Sequence, residues 1–180
     1  MREVFYFENE NQTKDKCCGQ VYYDFIDYAF AHTDFFMLVY VNYYGKGYSK
    51  IMKEVRDKLR IFSVKSRSNP SWPGTLNTFS KDSTYKVIFY KTDFAAAEVL
   101  KKVNCLSAWS CPQYPQDLAF FKGNKCWFYS VGHERIGAII DATEEDFAFL
   151  ESKGLISKTG VRYINYDSEY FAQFNENLIT

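Results

Sequence analysis

Helical and strand patterns of apolar residues alternate along this chain, and that alternation constrains the fold more than any other feature. Apolar residues recur every three or four positions from Tyr22 to Ala29, which predicts an amphipathic helix over Gln20–His32. The next apolar segment, Phe35–Asn42, is short, β-branched and aromatic, and this composition predicts a buried strand. The pattern therefore favours helices packed on a sheet.

The same patterns extend along the rest of the chain. Further strands are predicted at Val4–Phe7, Arg60–Lys65, Thr84–Tyr90, Leu118–Phe121, Cys126–Val131 and Val161–Tyr166. Further helices are predicted at Tyr48–Leu59, at Asp93–Asn104 after an N-cap at Thr92, and from a capping box at Thr143–Asp146 to a stop at Gly154. Lys122–Lys125 is the predicted turn of a hairpin. We expect an α+β fold with α/β character and a mixed β-sheet.

The chain is expected to form one globular domain over residues 1–180. It has no internal repeat and no linker, and its 24% of charged residues is ordinary for a globular protein. The longest apolar run, Phe35–Val41, is much shorter than the ~20 residues of a membrane helix. The first residues lack the pattern of a secretory signal. These observations predict a cytoplasmic protein with no membrane partner.

The cysteine pattern predicts free thiols and no metal site. The five cysteines are Cys17, Cys18, Cys105, Cys111 and Cys126. Their number is odd and no Cys-x-x-Cys motif occurs, so we expect neither a disulfide framework nor a zinc site. No cofactor is expected.

Aromatic residues and charges are distributed in ways that suggest recognition. Aromatic residues make up 19% of the chain, which indicates either a recognition surface or the codon usage of an AT-rich genome. Lys46–Arg67 contains eight basic and two acidic residues, although the net charge is zero. This segment predicts an anionic partner, unless it is only the solvated face of a helix. Zero net charge and the lack of a recognition motif argue against nucleic acid.

A glycine turn between a predicted strand and a predicted helix is a candidate anion site. Gly45 and Gly47 permit close backbone approach, while Ser49 and Lys50 offer a hydroxyl and a charge at the helix N-terminus. The turn matches neither a P-loop nor a dinucleotide-binding motif.

A proline-fixed loop offers a second candidate site. Arg67 and Trp72 supply a forked donor and a flat ring that suit a planar anion, while Trp109 and Trp127 are included among the predicted ligand-binding aromatics. We expect this loop and the glycine turn to face one cavity. The alternative is a loop held in place by a half-buried tryptophan.

A third candidate is an acid–base group. His133 with Glu134 suits a general base and the group that orients it, provided that Gly132 breaks the strand, and Asp117 is a further candidate acid. The alternative is a histidine that is merely hydrogen-bonded at a strand end.

Several of these stretches also resemble a known family. Trp72-Pro-Gly-Thr75, Trp109 with Pro112, Pro115–Phe121, Trp127 and His133-Glu134 are similar to a family of small bacterial proteins of unknown activity, sometimes labelled stage III sporulation protein AH. The resemblance covers Ser68–Glu134 and implies a bacterial origin.

Three functions remain open from the sequence. The first is non-catalytic binding of an anionic, nucleotide-like small molecule. The second is a protein-binding inhibitor or immunity-type module in bacterial or phage conflict. The third is a hydrolase or transferase that uses His133.

Overall fold

The strands and helices of the computed structural model lie within residues 3–9, 13–75 and 82–157, the part of the chain that the structure describes. The strands are β1 (Val4–Tyr6), β2 (Phe35–Asn42), β3 (Ser63–Ser68), β4 (Thr84–Lys91), β5 (Gln116–Lys122), β6 (Lys125–Val131) and β7 (Ile136–Ile140). The helices are α1 (Gln20–His32), α2 (Lys50–Leu59), α3 (Phe94–Leu100) and α4 (Glu144–Ser152). Short 3-10 turns lie at Tyr43–Gly45, Arg60–Phe62, Leu106–Ala108 and Gly132–Glu134.

The strands form one seven-stranded sheet in the order β1-β7-β6-β5-β2-β4-β3. All six pairings are antiparallel. The sheet and its helices confirm the predicted α+β fold. Every pairing between the described strands is antiparallel, whereas a mixed sheet would also contain parallel pairs.

Side chains alternate across most of the sheet, and both of its faces are buried. The alternation breaks at a bulge between β5 and β6, where the successive residues Trp127 and Phe128 belong to the same core. In β2, Phe36, Leu38 and Tyr40 belong to the core that contains the buried residues of all four helices. We call this side the helical face. Met37 and Val39 belong to a separate apolar cluster on the opposite side, here called the second face. Because successive residues of a strand point to opposite sides, one apolar run supplies both cores.

Most predicted elements are confirmed, and most of the differences lie at their ends. The N-cap of α3 is Asp93, whose carboxylate accepts a hydrogen bond from the Ala95 amide, whereas the Thr92 hydroxyl donates to the Thr33 carbonyl. The first residues of the predicted strand Arg60–Lys65 form a 3-10 turn. β7 was not predicted. The predicted strand Val161–Tyr166 lies outside the described residues.

The prediction that all cysteines are free thiols is wrong for one pair. Cys18 and Cys105 form a disulfide, while Cys17, Cys111 and Cys126 are free. The two sulfur atoms come together because the chain before α1 pairs with the chain after α3 in an isolated antiparallel bridge. A sequence separation of 87 residues gives no local signal for this contact.

A buried carboxylate joins α4 to α1 and to the sheet. Asp146 closes the capping box with Thr143 and accepts hydrogen bonds from Tyr28 and from the Trp127 indole. Burial alone would raise the pKa of Asp146. The hydrogen bonds from Thr143, Tyr28 and Trp127 outweigh that effect and lower the pKa below its ordinary value.

Asp146→Asn should therefore reduce the sensitivity of the fold to acid. A lowered folded-state pKa means that ionised Asp146 stabilises the protein above the unfolded value of about 4, and that this contribution is lost as the pH falls through the folded-state pKa. We expect the variant to be about 1–3 kcal/mol less stable at neutral pH, and the difference to narrow in acid. Urea unfolding at neutral and at acidic pH measures the difference in the free energy of unfolding. The matched control is Glu151→Gln, an exposed position on α4; a difference that stays constant with pH would contradict the assignment.

Candidate functional site

The three tryptophans predicted to bind a ligand are all buried. Trp72 and Trp109 are 0% exposed and Trp127 is 3% exposed. Trp72 belongs to the second face, whereas Trp109 and Trp127 belong to the helical face. The prediction that these rings bind a ligand is wrong in this structure, because none presents a surface on which a ligand could stack. Trp72 lies on the second face, whereas the glycine turn leads into α2 on the helical face. A cavity shared by the two segments stays a prediction.

Hydrogen bonds from the indole N–H groups allow these rings to be buried. Each indole N–H donates to a buried acceptor: Trp72 to Asp117 at 2.7 Å, Trp109 to the Tyr22 hydroxyl at 2.8 Å, and Trp127 to Asp146 at 3.2 Å. A tryptophan whose N–H has a partner can be enclosed completely without a desolvation penalty for that group. Sequence patterns do not identify such acceptors, because they lie far away along the chain.

Asp117 is a structural carboxylate that joins three segments. Its side chain accepts hydrogen bonds from the Trp72 indole and from the Gly132 amide, and its own amide donates to the Trp109 carbonyl. Burial raises the pKa of the Asp117 carboxyl, and the hydrogen bonds from Gly132, Trp72 and Thr75 oppose part of that rise. Asp117 is 1% exposed, and both of its carboxylate oxygens accept hydrogen bonds from other segments of the chain. Its role as an acid stays a prediction.

His133 and Glu134 lie together on the surface. Gly132–Glu134 forms a 3-10 turn that ends β6, so the strand is broken at Gly132, as a contact between His133 and Glu134 requires. His133 Nε2 lies 3.5 Å from a Glu134 carboxylate oxygen. Both side chains are more than half exposed. The thiol of Cys111 is not activated as a nucleophile, because burial and the charge of Asp117 raise its pKa to about 12. Catalysis by His133 stays a prediction.

Two substitutions compare how much Asp117 and His133 contribute to the stability of the fold. Asp117→Ala leaves the buried Trp72 and Gly132 donors without their acceptor, so we expect the free energy of unfolding to fall by more than about 2 kcal/mol. His133→Ala removes an exposed side chain and should change it by less than about 0.5 kcal/mol. Urea denaturation of both variants checks this order. Equal effects of the two substitutions would show that Asp117 does not hold these segments.

The glycine turn is already occupied by its own hydrogen bonds. Ser49 caps α2 by accepting a hydrogen bond from the Met52 amide, and its hydroxyl donates to the Gln113 carbonyl. The Gly47 amide donates to the Asn42 side chain, and Lys50 lies 3.9 Å from Glu54. Gly45 and Gly47 have φ values of 68° and 83°, which glycine adopts freely. The turn thus uses its polar groups to begin the helix.

A basic cavity lies instead at the outer edge of the sheet, on the helical face. It measures about 160 Å³ and lies between the end of α2 and the strands β3 and β4. The residues around it, here called the basic pocket, are Arg56, Asp57, Arg60, Ser63, Ser66, Lys86, Ile88 and Tyr90. Local geometry brings them together, since Arg56 and Arg60 are four positions apart and alternate residues of β4 share a face.

The pocket combines three positive charges with hydroxyl groups. Arg56 lies 5.4 Å above the ring of Tyr48, with its Nε 4.0 Å from Asp57. Neither Arg60 nor Lys86 forms an ion pair with a described residue. Asp57 is the single acidic residue of the lining, so the pocket keeps an excess of positive charge.

The floor of the pocket is neutral. Burial raises the pKa of the Tyr90 hydroxyl, which donates a hydrogen bond of 2.9 Å to Tyr40. Ile88 is also buried there. A charged rim above an apolar floor is the usual arrangement of a small-ligand site.

Part of this pocket lies in the basic segment that was noted in the sequence. Arg56 and Arg60 fall in the basic segment Lys46–Arg67, but no pattern pointed to Ser63, Ser66 or Lys86, which join them only through strand pairing. Arg67 does not take part. It pairs with Val87, a residue of the second face, and cross-strand partners share a face.

No protein-family model, curated protein or solved structure matches this chain. The resemblance over Ser68–Glu134 therefore stays a prediction. Among the described residues, no helix has the length and apolar composition needed to cross a membrane.

Proposed function

We propose that this protein binds a small anionic ligand in the basic pocket and does not transform it. The proposal is supported above all by the two guanidinium groups of Arg56 and Arg60 and the ammonium group of Lys86 around one cavity. Guanidinium groups bind phosphate or carboxylate oxygens through two parallel hydrogen bonds, and serine hydroxyls add further donors.

The size of the cavity narrows the class of ligand. Sites that enclose a whole drug-sized molecule usually measure about 300–1,000 Å³, and this cavity is about 160 Å³. A single phosphoryl-sized group fits better than a complete nucleotide. The rest of a larger ligand would lie along the exposed surface of β3. The nucleotide-like ligand predicted from the sequence is thus narrowed to a molecule with one anionic group to bury.

The binding test uses inorganic phosphate and pyrophosphate as probes, with calorimetry on the full chain. Arg60→Gln and Lys86→Gln should each weaken binding at least about tenfold, since a hydrogen bond to a charged group contributes about 1.5–3 kcal/mol.

Lys50→Gln is the matched control, because it removes the same charge from a side chain that is 91% exposed at the glycine turn. It should bind like the parent protein. Equal weakening by Lys50→Gln would mean unspecific attraction to a basic surface, and no heat of binding at millimolar probe would contradict the proposal.

Binding of a protein is the second candidate, because apolar side chains are exposed beside the pocket. Ile61 is 80% exposed and Val64 is 47% exposed. An inhibitor or immunity-type module in bacterial or phage conflict would use such side chains with the basic rim against an acidic partner. Ile61→Ser separates the candidates, since it should abolish capture of a protein partner and leave phosphate binding unchanged.

A bacterial origin and a cytoplasmic location complete the proposal. A cytoplasmic location would keep Cys18 and Cys105 reduced, whereas the disulfide between them favours an oxidising environment. Alkylation of free thiols in cells, followed by mass spectrometry, distinguishes the two environments.

A further inference from the structure

Two cysteines and one carboxylate meet where the chain enters α1. Ligand atoms of Asp15, Cys18 and Cys105 all lie within 4.8 Å of one another, and all three residues are partly buried. Cys18 and Cys105 are joined as a disulfide in this structure. The question is what this group does when the disulfide is reduced.

The backbone holds the two cysteines together independently of the disulfide. The Gly19 amide donates to the Asn104 carbonyl at 2.7 Å, and the Leu106 amide donates to the Cys17 carbonyl at 3.0 Å. These bonds lie on either side of Cys18 and Cys105, which face each other in an antiparallel bridge. The two thiols therefore stay neighbours after the sulfur–sulfur bond is broken.

Asp15 is fixed beside them by hydrogen bonds to both of its carboxylate oxygens. One oxygen accepts from the Cys17 amide at 2.9 Å and the other from the Ser107 amide at 2.8 Å. Each oxygen keeps a lone pair, because a carboxylate oxygen can accept more than one bond. The side chain is thus oriented and still able to bind a cation.

We propose that the reduced protein binds a zinc ion through Asp15, Cys18 and Cys105. A small thiol cleaves the disulfide by giving two electrons and two protons to the sulfur atoms, and two molecules of that thiol leave as their own disulfide. Zn²⁺ then displaces the two thiol protons and bonds to two thiolates and one carboxylate oxygen. The metal site and the disulfide are alternative states of the same pair.

The distances suit zinc. Tetrahedral zinc with bonds of about 2.3 Å to sulfur and about 2.1 Å to oxygen holds its ligand atoms about 3.6–3.8 Å apart. The three ligand atoms already lie within 4.8 Å of one another, so side-chain rotation is sufficient. Soft thiolates favour zinc over magnesium or calcium. Three protein ligands leave the fourth position of zinc to water or a small molecule.

The test compares oxidised and reduced full-length protein, titrated with Co²⁺ as a spectroscopic probe and then with Zn²⁺. Reduced protein should bind one Co²⁺ with thiolate-to-cobalt absorption that Zn²⁺ abolishes, and oxidised protein should show none. Cys18→Ser should abolish the absorption. Asp15→Asn should weaken binding at least about tenfold, since even outer-shell substitutions at metal sites cost ~10–100-fold.

Cys126→Ser is the matched control, because this free cysteine lies in the second face of the sheet. It should leave cobalt binding unchanged. Loss of the native circular dichroism on reduction, lack of the absorption, or equal binding by Cys18→Ser would each overturn the proposal. Full binding by Asp15→Asn would overturn the ligand set. None of these results bears on anion binding at the basic pocket, so the two proposals fail separately.

Discussion

Burial of the sheet on both faces is the constraint on which the rest of this structure depends. The central strands carry apolar side chains on each side, so the middle of the sheet has no place for a charged ligand. On the sheet itself, a charged ligand is therefore confined to the ends and the outer edge. The basic pocket lies at that edge, where β3 carries mostly polar residues and α2 presents Arg56 to the cavity.

Most aromatic side chains of the described residues are buried in the two cores of the sheet. Each tryptophan ring is enclosed because a distant group accepts its N–H, and two of those acceptors are the buried carboxylates Asp117 and Asp146. These carboxylates have different environments. Burial dominates at Asp117 and raises its pKa, whereas hydrogen bonds dominate at Asp146 and lower its pKa. Both act as structural links between segments that are far apart in sequence.

Local features of the fold could be predicted from the sequence, and contacts between distant segments could not. Gln20–His32 and Phe35–Asn42 match the observed α1 and β2, because apolar spacing is decided within each element. The burial of Trp72 depends on Asp117, 45 residues away. β7 was missed because it is short and follows directly on the turn at Arg135, a residue with a φ of 56°.

The candidate site could likewise be predicted in its local features and not in its contacts between distant segments. A basic segment pointed to an anionic ligand, and two of its arginines line the pocket. The particular turn and loop chosen from local motifs were poorer guides, since motif-like residues such as Ser49 are used to cap a helix. Serine and lysine residues of neighbouring strands enter the pocket through sheet register, which single-sequence patterns do not encode.

The most direct test of anion binding in the basic pocket is a titration of the ¹⁵N-labelled protein with inorganic phosphate. The amide chemical shifts are measured at each phosphate concentration. The account predicts saturable shifts confined to the surroundings of Arg60, Ser63, Ser66 and Lys86. Shifts centred on the glycine turn at Gly45–Lys50, or small unsaturable shifts spread over every exposed basic residue, would contradict it.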